Sequence, residues 1–202
     1  MSDLVAADFG PLLTRTAAPA ALLTLAEIKA QCNIAHSDDD TMLGALGDAA
    51  AALLDGPDGM VGRALVSQEW TLQITPPSGR NPVSFPLGPL ISLDTVSYYD
   101  ADNASQTLDL ADLTTYSSRD FAYVVPDIGT AWPAMYARPD ALTLVFTCGH
   151  ATVPANVLHA AKALVSHWYE NRDAVNIGST PAEVPMLVEA LLAGYRAGWI
   201  SA

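Results

Sequence analysis

The spacing of apolar residues changes twice along this chain of 202 residues. From about residue 24 to residue 54, and again from about residue 154 to residue 196, apolar side chains recur at helical spacing. Between these stretches, "ALVSQEWTLQIT" and "ISLDTVSYYD" alternate, and "DALTLVFTCG" is rich in β-formers; Pro, Gly, Asp or Asn flank each segment. The sequence therefore predicts an α+β protein, in which an antiparallel β-rich segment is inserted into a small core of two N-terminal and two C-terminal helices.

Local signals predict where the N-terminal helices begin. Thr24 and Glu27 have the spacing of a capping box, in which a hydroxyl and a carboxylate bond the unpaired backbone N–H groups of a first turn. A helix from there to about Asn33 is expected. A second helix is predicted from residue 37 or 38 to about residue 54, because acidic residues in a first turn are favoured by the helix dipole.

The C-terminal helices are indicated by proline positions and by an apolar stripe. Pro154 suits the first turn of a helix that continues to about Arg172, and a last helix is predicted to begin near Pro185. Three residues are expected to anchor the helical core: Leu164, Trp168 and Leu191. The last helix carries a helically spaced stripe formed by Val188, Leu191, Leu192 and Tyr195.

These patterns divide the chain into three parts. Residues 1–21 lack sustained periodicity and contain two prolines, so a flexible or partner-ordered arm is expected. Residues 22–63 and 150–202 are predicted to form the helical core, and residues 64–149 the inserted β-rich segment. Within that segment, "PVSFPLGPL" suits an edge strand or an extended connection, because proline cannot donate a hydrogen bond to a neighbouring strand.

The charge of the chain excludes one class of function. Its 22 acidic and 9 basic residues give a net charge of −13, which does not allow neutralisation of a line of phosphates. We therefore expect no sequence-specific binding of nucleic acid. Residues 1–60 carry nine of the acids against two bases. An acidic surface of this kind is either simply solvated or is one that DNA can pass without adhering to it.

The low content of charged residues has two interpretations. Charged residues make up 15% of the chain, below the roughly 25% of an average soluble protein, and apolar residues make up 50%. Either the many alanines account for this, since alanine is nearly indifferent to burial, or part of the surface is buried against other subunits.

Two polar clusters resemble binding or catalytic sites. In "HWYENRD", His167 and Asn171 share one helix face, but no nucleophile or metal partner is evident, so a structural role is favoured. In "HSDDD", the three consecutive acids Asp38, Asp39 and Asp40 cannot all face one metal ion, and helix capping is the favoured interpretation.

Two further motifs lack essential parts of a site. "DADNAS" lacks the glycine and the closing glutamate of a calcium loop, and a hairpin turn is predicted instead. "CGH" brings Cys148 and His150 together, but no third catalytic group or oxyanion donor accompanies them. No phosphate loop, GxSxG or HExxH motif occurs. We therefore predict no enzymatic activity, metal or cofactor.

Cysteine spacing and hydropathy indicate a reducing compartment without a membrane. Cys32 and Cys148 belong to no CxxC pair, so both are predicted to be free, partly buried thiols in a reducing cytoplasm. No apolar run approaches 18 residues, and the segment "MSDLVAADFG" is acidic where a signal peptide would be basic. Neither targeting nor membrane insertion is expected.

The order and spacing of several motifs resemble the head-tail connector (adaptor, or head-completion) proteins of tailed bacteriophages and gene transfer agents. "WYENR", "PAEVP" and "LLAGYR" are similar to the C-terminal helix pair of that family. "LTLAEIKAQCNI" with "DDDTMLGALGDAA" resembles its first helix pair, and "GRALVSQEWTL" its entry into the β-segment. The resemblance spans about residues 22–196. The loop "DGPDGMVG" and the tail "AGWISA" depart from the pattern.

The resemblance implies a protein that is made in the bacterial cytoplasm and has a structural role in a virion or phage-like particle, at the head-tail interface. It would form a ring, expected to hold twelve copies, beneath the portal protein, and would present a surface to a tail-side connector or stopper protein. DNA would pass through the channel of the ring, with Asp38, Asp39 and Asp40 as candidate lumen-facing acids. Tyr195, Trp199 and Ile200 are candidate portal contacts in the C-terminal tail. Alternatively, the tail folds back over its own helix.

A binding module is the alternative function. Four aromatic residues of the β-segment would then bind a small ligand or a carbohydrate: Tyr98, Tyr99, Tyr116 and Tyr123. A connector is expected to show flat, complementary subunit sides, whereas a binding module is expected to show a concave pocket.

Overall fold

The computed structural model of the protein describes residues 10–17, 19–118, 121–171 and 186–196. Within these ranges, every pair of neighbouring strands in the two sheets is antiparallel, and α-helices lie both before and after the main run of strands. The predicted α+β class is therefore confirmed. The chain divides into two compact units: a β unit of residues 1–18 and 68–148, and a helical unit of residues 19–67 and 149–202.

Four α-helices form the described part of the helical unit. They are α1 (Leu25–Cys32), α2 (Asp40–Leu54), α3 (Ala155–Glu170) and α4 (Met186–Leu192). The capping box predicted at the start of α1 is present. The Glu27 amide donates to Thr24 Oγ1 at 3.3 Å, and the Thr24 amide donates to Glu27 Oε2 at 3.0 Å. At the other end of α1, Asn33 adopts the left-handed conformation at φ 56° that closes many helices.

The apolar faces of these helices meet in one core. Leu164 of α3 is fully buried, while Trp168 and Leu191 are partly buried and pack against the same cluster. Val188 and Leu192 of α4 are fully buried. Other fully buried side chains of this core are Leu43, Ala50, Leu54, Val157, Ala160 and Ala161.

The described part of the β unit contains eight strands in two sheets. The strands are β1 (Leu12–Arg15), β2 (Gln68–Ile74), β3 (Val83–Phe85), β4 (Leu90–Tyr99), β5 (Ser105–Leu108), β6 (Leu113–Ser117), β7 (Ala122–Pro126) and β8 (Leu142–Cys148). One sheet has the order β1-β2-β8-β4-β5, and the other has the order β3-β7-β6. β3 lies at a sheet edge, as the prolines around it predict.

Alternation along the strands builds a sandwich of the two sheets. In β8, Leu142, Leu144 and Phe146 are fully buried, whereas the intervening residues are half-exposed. In β3, Phe85 is buried and its ring lies 4.9 Å from that of Phe146. Each sheet therefore turns one face to a shared core and the other face outward.

The first strand lies in a region where the sequence predicts a flexible or partner-ordered arm. Residues 12–15 pair with β2, with Leu13 opposite Leu72 and Arg15 opposite Trp70. The Arg15 guanidinium also lies over the Trp70 ring at 4.9 Å. Three of the four residues in β1 are exposed. Backbone pairing and one ring contact hold this strand in place. It therefore lacks the alternation of apolar and polar residues by which a strand is recognised in a sequence.

Candidate assembly surfaces

The outer face of the three-stranded sheet is aromatic and apolar. Tyr116 of β6 pairs with Tyr123 of β7, and their rings stack with centroids 5.1 Å apart. Ile128 occupies a tight turn after β7, closed by a hydrogen bond from the Thr130 amide to the Asp127 carbonyl, and is 94% exposed. Exposed apolar and aromatic side chains that lie together in one patch mark an interaction surface. We call this surface the tyrosine face: Arg80, Tyr116, Tyr123, Val125 and Ile128.

A shallow groove of about 360 Å³ lies within the tyrosine face. Arg80 borders it and donates from Nη2 to the Pro126 carbonyl at 2.8 Å. Asp127 also lines the groove, where it accepts a hydrogen bond from the Thr114 hydroxyl. Among the residues that the structure describes, Arg80 has no acidic partner. The face thus presents an exposed guanidinium beside apolar and aromatic side chains.

The outer face of the five-stranded sheet has a different chemistry. Strand register aligns Thr14, Thr71, Val145 and Thr95 in one row across four strands. The next row contains Leu12, Gln73, Thr143, Ser97 and Thr107, and a third contains Glu69, Thr147 and Ser92. We call these twelve residues the hydroxyl face.

Negative charge on the hydroxyl face is confined to one corner. Asp94 lies at a β-bulge and accepts hydrogen bonds from Thr147 Oγ1 and from Ser92 Oγ, each at 2.7 Å. Glu69 pairs across the strands with the same threonine. Apart from Glu69, none of these twelve residues is charged. Beyond them, at the Tyr99 end of β4, the Arg138 guanidinium pairs with Asp140.

The three candidate lumen acids have different environments. Asp39 Oδ2 accepts a hydrogen bond from the Tyr169 hydroxyl at 2.6 Å, and Asp40 pairs with Lys29 Nζ at 2.6 Å. Asp38 has a side chain that is 90% exposed. The expectation that these acids cap α2 is wrong for Asp39, which occupies the N-cap position without a side-chain capping bond, because its carboxylate bonds α3 instead.

The capping carboxylate of α1 also joins α3. Lys162 Nζ lies 3.0 Å from Glu27 Oε1. Hydrogen bonds from the backbone and the hydroxyl of Thr24, followed by the Lys162 contact, lower the pKa of Glu27 from 4.5 to about 2. Charge contacts therefore link α3 to both N-terminal helices.

The other candidate residues do not converge on a site. Tyr195 is half-buried and packs against the helical core, while Trp199 and Ile200 lie outside the described residues. Met186 and Leu187, at the start of α4, are 86% and 52% exposed and were not singled out by the sequence. Within the described ranges, no three His, Cys, Asp or Glu side chains are grouped as metal ligands.

The aromatic residues of the alternative ligand site are also separated. Tyr116 and Tyr123 stack on the three-stranded sheet, whereas Tyr98 and Tyr99 lie on the five-stranded sheet. The Arg138 guanidinium covers the Tyr99 ring at 3.8 Å. The predicted hairpin turn at "DADNAS" is confirmed, since the Asp100 carboxylate accepts hydrogen bonds from backbone amides of the turn between β4 and β5.

Two further sequence expectations concern thiols and helices. Neither Cys32 nor Cys148 forms a disulfide; Cys32 is half-buried, as predicted, whereas Cys148 is fully buried. Burial raises the pKa of the Cys32 thiol. In the part of the chain that the structure describes, each helix is too short or too polar to traverse a lipid bilayer.

The fold as a whole is similar to solved structures of a particle neck. The chain matches a protein in "Neck of empty GTA particle computed with C6 symmetry" with a TM-score of 0.73 and 20% sequence identity. It matches "Virion of native gene transfer agent (GTA) particle" with a TM-score of 0.71 and 19% identity. A third match is "Neck of native GTA particle computed with C12 symmetry", with a TM-score of 0.67 and 18% identity.

The chain has the fold of a gene transfer agent neck protein. Each comparison covers 94% of this chain and 97% of the other, so both units share the neck fold. This confirms the resemblance to the connector family at the level of the fold. No family model matches the sequence. No curated protein sequence matches it either.

Proposed function

We propose that this protein is a structural adaptor in the neck of a phage or gene transfer agent particle. It forms a ring below the portal and joins the DNA-filled head to the tail. The observation that supports the proposal is the similarity in fold to neck structures, which extends over 94% of the chain. Those neck structures were computed with sixfold and with twelvefold symmetry. Twelve copies per ring fit both symmetries.

The charge distribution supports a channel through which DNA slides. A net charge of −13 repels phosphates, so a ring of these subunits would not hold the duplex by its backbone. Asp38 is the best candidate for a lumen-facing charge among the three predicted acids, because Asp39 and Asp40 are engaged by Tyr169 and Lys29. The ring would have a non-catalytic role, with the portal on one side and a tail-side stopper on the other.

The proposed portal contact lies at the C-terminus. Tyr195 packs on the helical core, so the chain beyond it starts from a fixed point of the helical unit. Trp199 and Ile200 would then insert into the portal as an apolar peg. Deleting residues 197–202 should abolish portal binding and leave the unfolding midpoint unchanged, as measured by co-sedimentation and thermal denaturation. Undiminished portal binding by the shortened protein would refute the proposed insertion of this peg.

The experiment that tests the function is reconstitution with the portal. The purified protein is mixed with the portal ring from the same gene cluster and separated by size-exclusion chromatography, and the complex is imaged by negative-stain electron microscopy. We expect a discrete ring stacked on the portal. A protein that elutes separately from the portal at micromolar concentrations of both would refute the adaptor function.

A small-ligand or carbohydrate-binding module is the second candidate. The observation that favours it is the exposed Tyr116–Tyr123 stack beside a groove that contains Arg80 and Asp127, since aromatic rings and polar groups together bind sugars. Titration with a panel of oligosaccharides, followed by tyrosine fluorescence, tests it. Absence of a spectral change at millimolar sugar would exclude this function.

A further inference from the structure

The two outer faces of the β unit are matched in chemistry. The tyrosine face presents Tyr116, Ile128 and the guanidinium of Arg80. The hydroxyl face presents uncharged Thr and Ser side chains with one acidic corner, formed by Glu69 and Asp94. Aromatic and Arg residues are enriched at protein interfaces, and charged residues are depleted from interface cores. The tyrosine face has the residue types of an interface, and the hydroxyl face shares the low charge of an interface core.

The charges of the two faces are complementary. Arg80 has no acidic partner among the described residues, and neither Glu69 nor Asp94 has a basic one. In a chain with few basic residues, an exposed guanidinium beside apolar side chains is a specific feature rather than part of a mixed surface. The Asp127 carboxylate on the tyrosine face is engaged by the Thr114 hydroxyl, so Arg80 is the charge that the face offers to a partner.

The sandwich places these faces on opposite sides of the same unit. The two sheets share a core through Phe85 and Phe146, so their outer faces point away from each other. A surface that fits a different surface on an identical molecule makes a head-to-tail contact, and such contacts form a ring when the rotation between neighbours closes. The occupant that this arrangement selects for each face is therefore a second copy of the chain.

We propose that neighbouring subunits of the ring join through their β units. The tyrosine face of one subunit packs on the hydroxyl face of the next, and Arg80 pairs with the Glu69–Asp94 corner of that neighbour. This inference rests on the proposed ring function and specifies which surfaces close the ring. Stacked sheets lie about 10 Å apart, both inside a sandwich and between two packed sandwiches, so the repeat along the ring is about 20 Å. Twelve repeats of that length give a ring radius of about 40 Å at the β units.

Charge reversal on each face provides the test. One variant carries Arg80→Glu, and the other carries Glu69→Arg with Asp94→Arg. Alone, each variant sets like charges against each other at every subunit contact. We expect the protein concentration for half-maximal ring assembly on the portal to rise at least about tenfold for each. Asp58→Arg with Asp102→Arg is the control, because it makes the same charge change as the second variant at exposed acids that belong to neither face.

Mixing the two variants distinguishes a specific contact from a general effect of charge. In an alternating ring of even copy number, every contact then joins opposite charges. The carboxylate introduced by Arg80→Glu faces the two introduced guanidinium groups of one neighbour, and the unchanged Arg80 of the other neighbour faces Glu69 and Asp94. We expect the equimolar mixture to assemble within about threefold of the wild-type concentration.

An apolar contact gives an independent variant. Ile128 lies at the exposed turn of the tyrosine face and would be covered by the neighbouring subunit. Ile128→Asp should weaken assembly, because it places a charge in the centre of the contact. The thermal unfolding midpoint of this variant should stay within about 2 °C of wild type, since the side chain is exposed in the single subunit.

Each result decides the proposal. Failure of both single-face variants with recovery in the mixture supports it. Normal rings from the Arg80→Glu variant, or no recovery in the mixture, would overturn the face-to-face contact while the adaptor function stands. If the wild-type protein forms no ring with the portal, the adaptor function itself has failed.

Discussion

Replacing Glu27 tests how strongly the start of α1 is tied to the rest of the helical unit. The Glu27 carboxylate accepts hydrogen bonds from the Thr24 amide at 3.0 Å and from the Thr24 hydroxyl at 2.8 Å. Its other oxygen lies 3.0 Å from Lys162 Nζ. The Glu27→Ala variant removes the carboxylate half of the capping box and the ion pair together. The Glu27→Gln variant removes the charge but keeps a side chain that completes a capping box.

The size of the effect follows from these contacts. A pKa lowered from 4.5 to about 2 sets an upper bound of about 3 kcal/mol on the contribution of ionised Glu27 to the free energy of unfolding, because one pKa unit corresponds to about 1.4 kcal/mol. The Glu27 side chain is 37% exposed, and solvent screening reduces that bound by at least half. A capping interaction contributes about 1 kcal/mol, and a partly exposed ion pair about 0.5 kcal/mol. We therefore expect a loss of about 1.5 kcal/mol for Glu27→Ala and about 0.5 kcal/mol for Glu27→Gln.

The pH dependence gives an independent check on the sign. Because the pKa of Glu27 is lower in the folded protein than in the unfolded chain, its contribution is fully present above pH 4.5 and is lost as the pH falls towards 2. Urea denaturation at pH 7 and at pH 3 measures it. The difference between wild type and Glu27→Ala should shrink by about half at pH 3. An equal difference at both pH values, or equal losses for Ala and Gln, would refute the reasoning.

Two further predictions concern backbone space and a tertiary hydrogen bond. Gly149→Ala should cost more than about 2 kcal/mol of unfolding free energy, because Gly149 has φ +117° and a Cβ there would clash with the Val66 carbonyl. The control is Gly44→Ala on α2, where a Cβ would point into open space. This control should stabilise the protein by up to about 1 kcal/mol. Tyr169→Phe should cost about 1 kcal/mol by removing the bond to Asp39, and equal urea midpoints for wild type and variant would contradict this.

The features that the sequence predicts correctly are local ones. The capping box joins Thr24 and Glu27, three residues apart, so both of its partners are visible in one short segment. The stripe of α4 and the alternation of β8 are similarly contained within single elements. Hydrophobic period and capping chemistry therefore define the described helices, the central strand and the α+β class without knowledge of the tertiary structure.

The features that the sequence does not reveal depend on distant partners. Asp39 bonds Tyr169, 130 residues away, so the acids of "HSDDD" could not be assigned to an interhelical contact from their own pattern. β1 is ordered by pairing with β2, and three of its four residues are exposed. Each of these contacts requires the tertiary fold to bring its partners together.

The candidate surfaces are nonlocal for the same reason. The tyrosine face brings Arg80 next to residues of β6 and β7, which follow it by more than thirty positions. The hydroxyl face is assembled from five strands, of which the sequence patterns indicate only three: β2, β4 and β8. Register across the sheet, rather than any single segment, places its threonines in rows.

The mass of the complex with the portal tests the central claim most directly. Multi-angle light scattering of the portal ring, before and after saturation with the protein, gives the number of copies added. The account predicts a discrete increase of about 250 kDa, which is twelve chains of 21.2 kDa, with no intermediate species at saturation. An unchanged portal mass, or a gradual increase without a fixed stoichiometry, would contradict the proposal that this protein is the ring-forming adaptor of a particle neck.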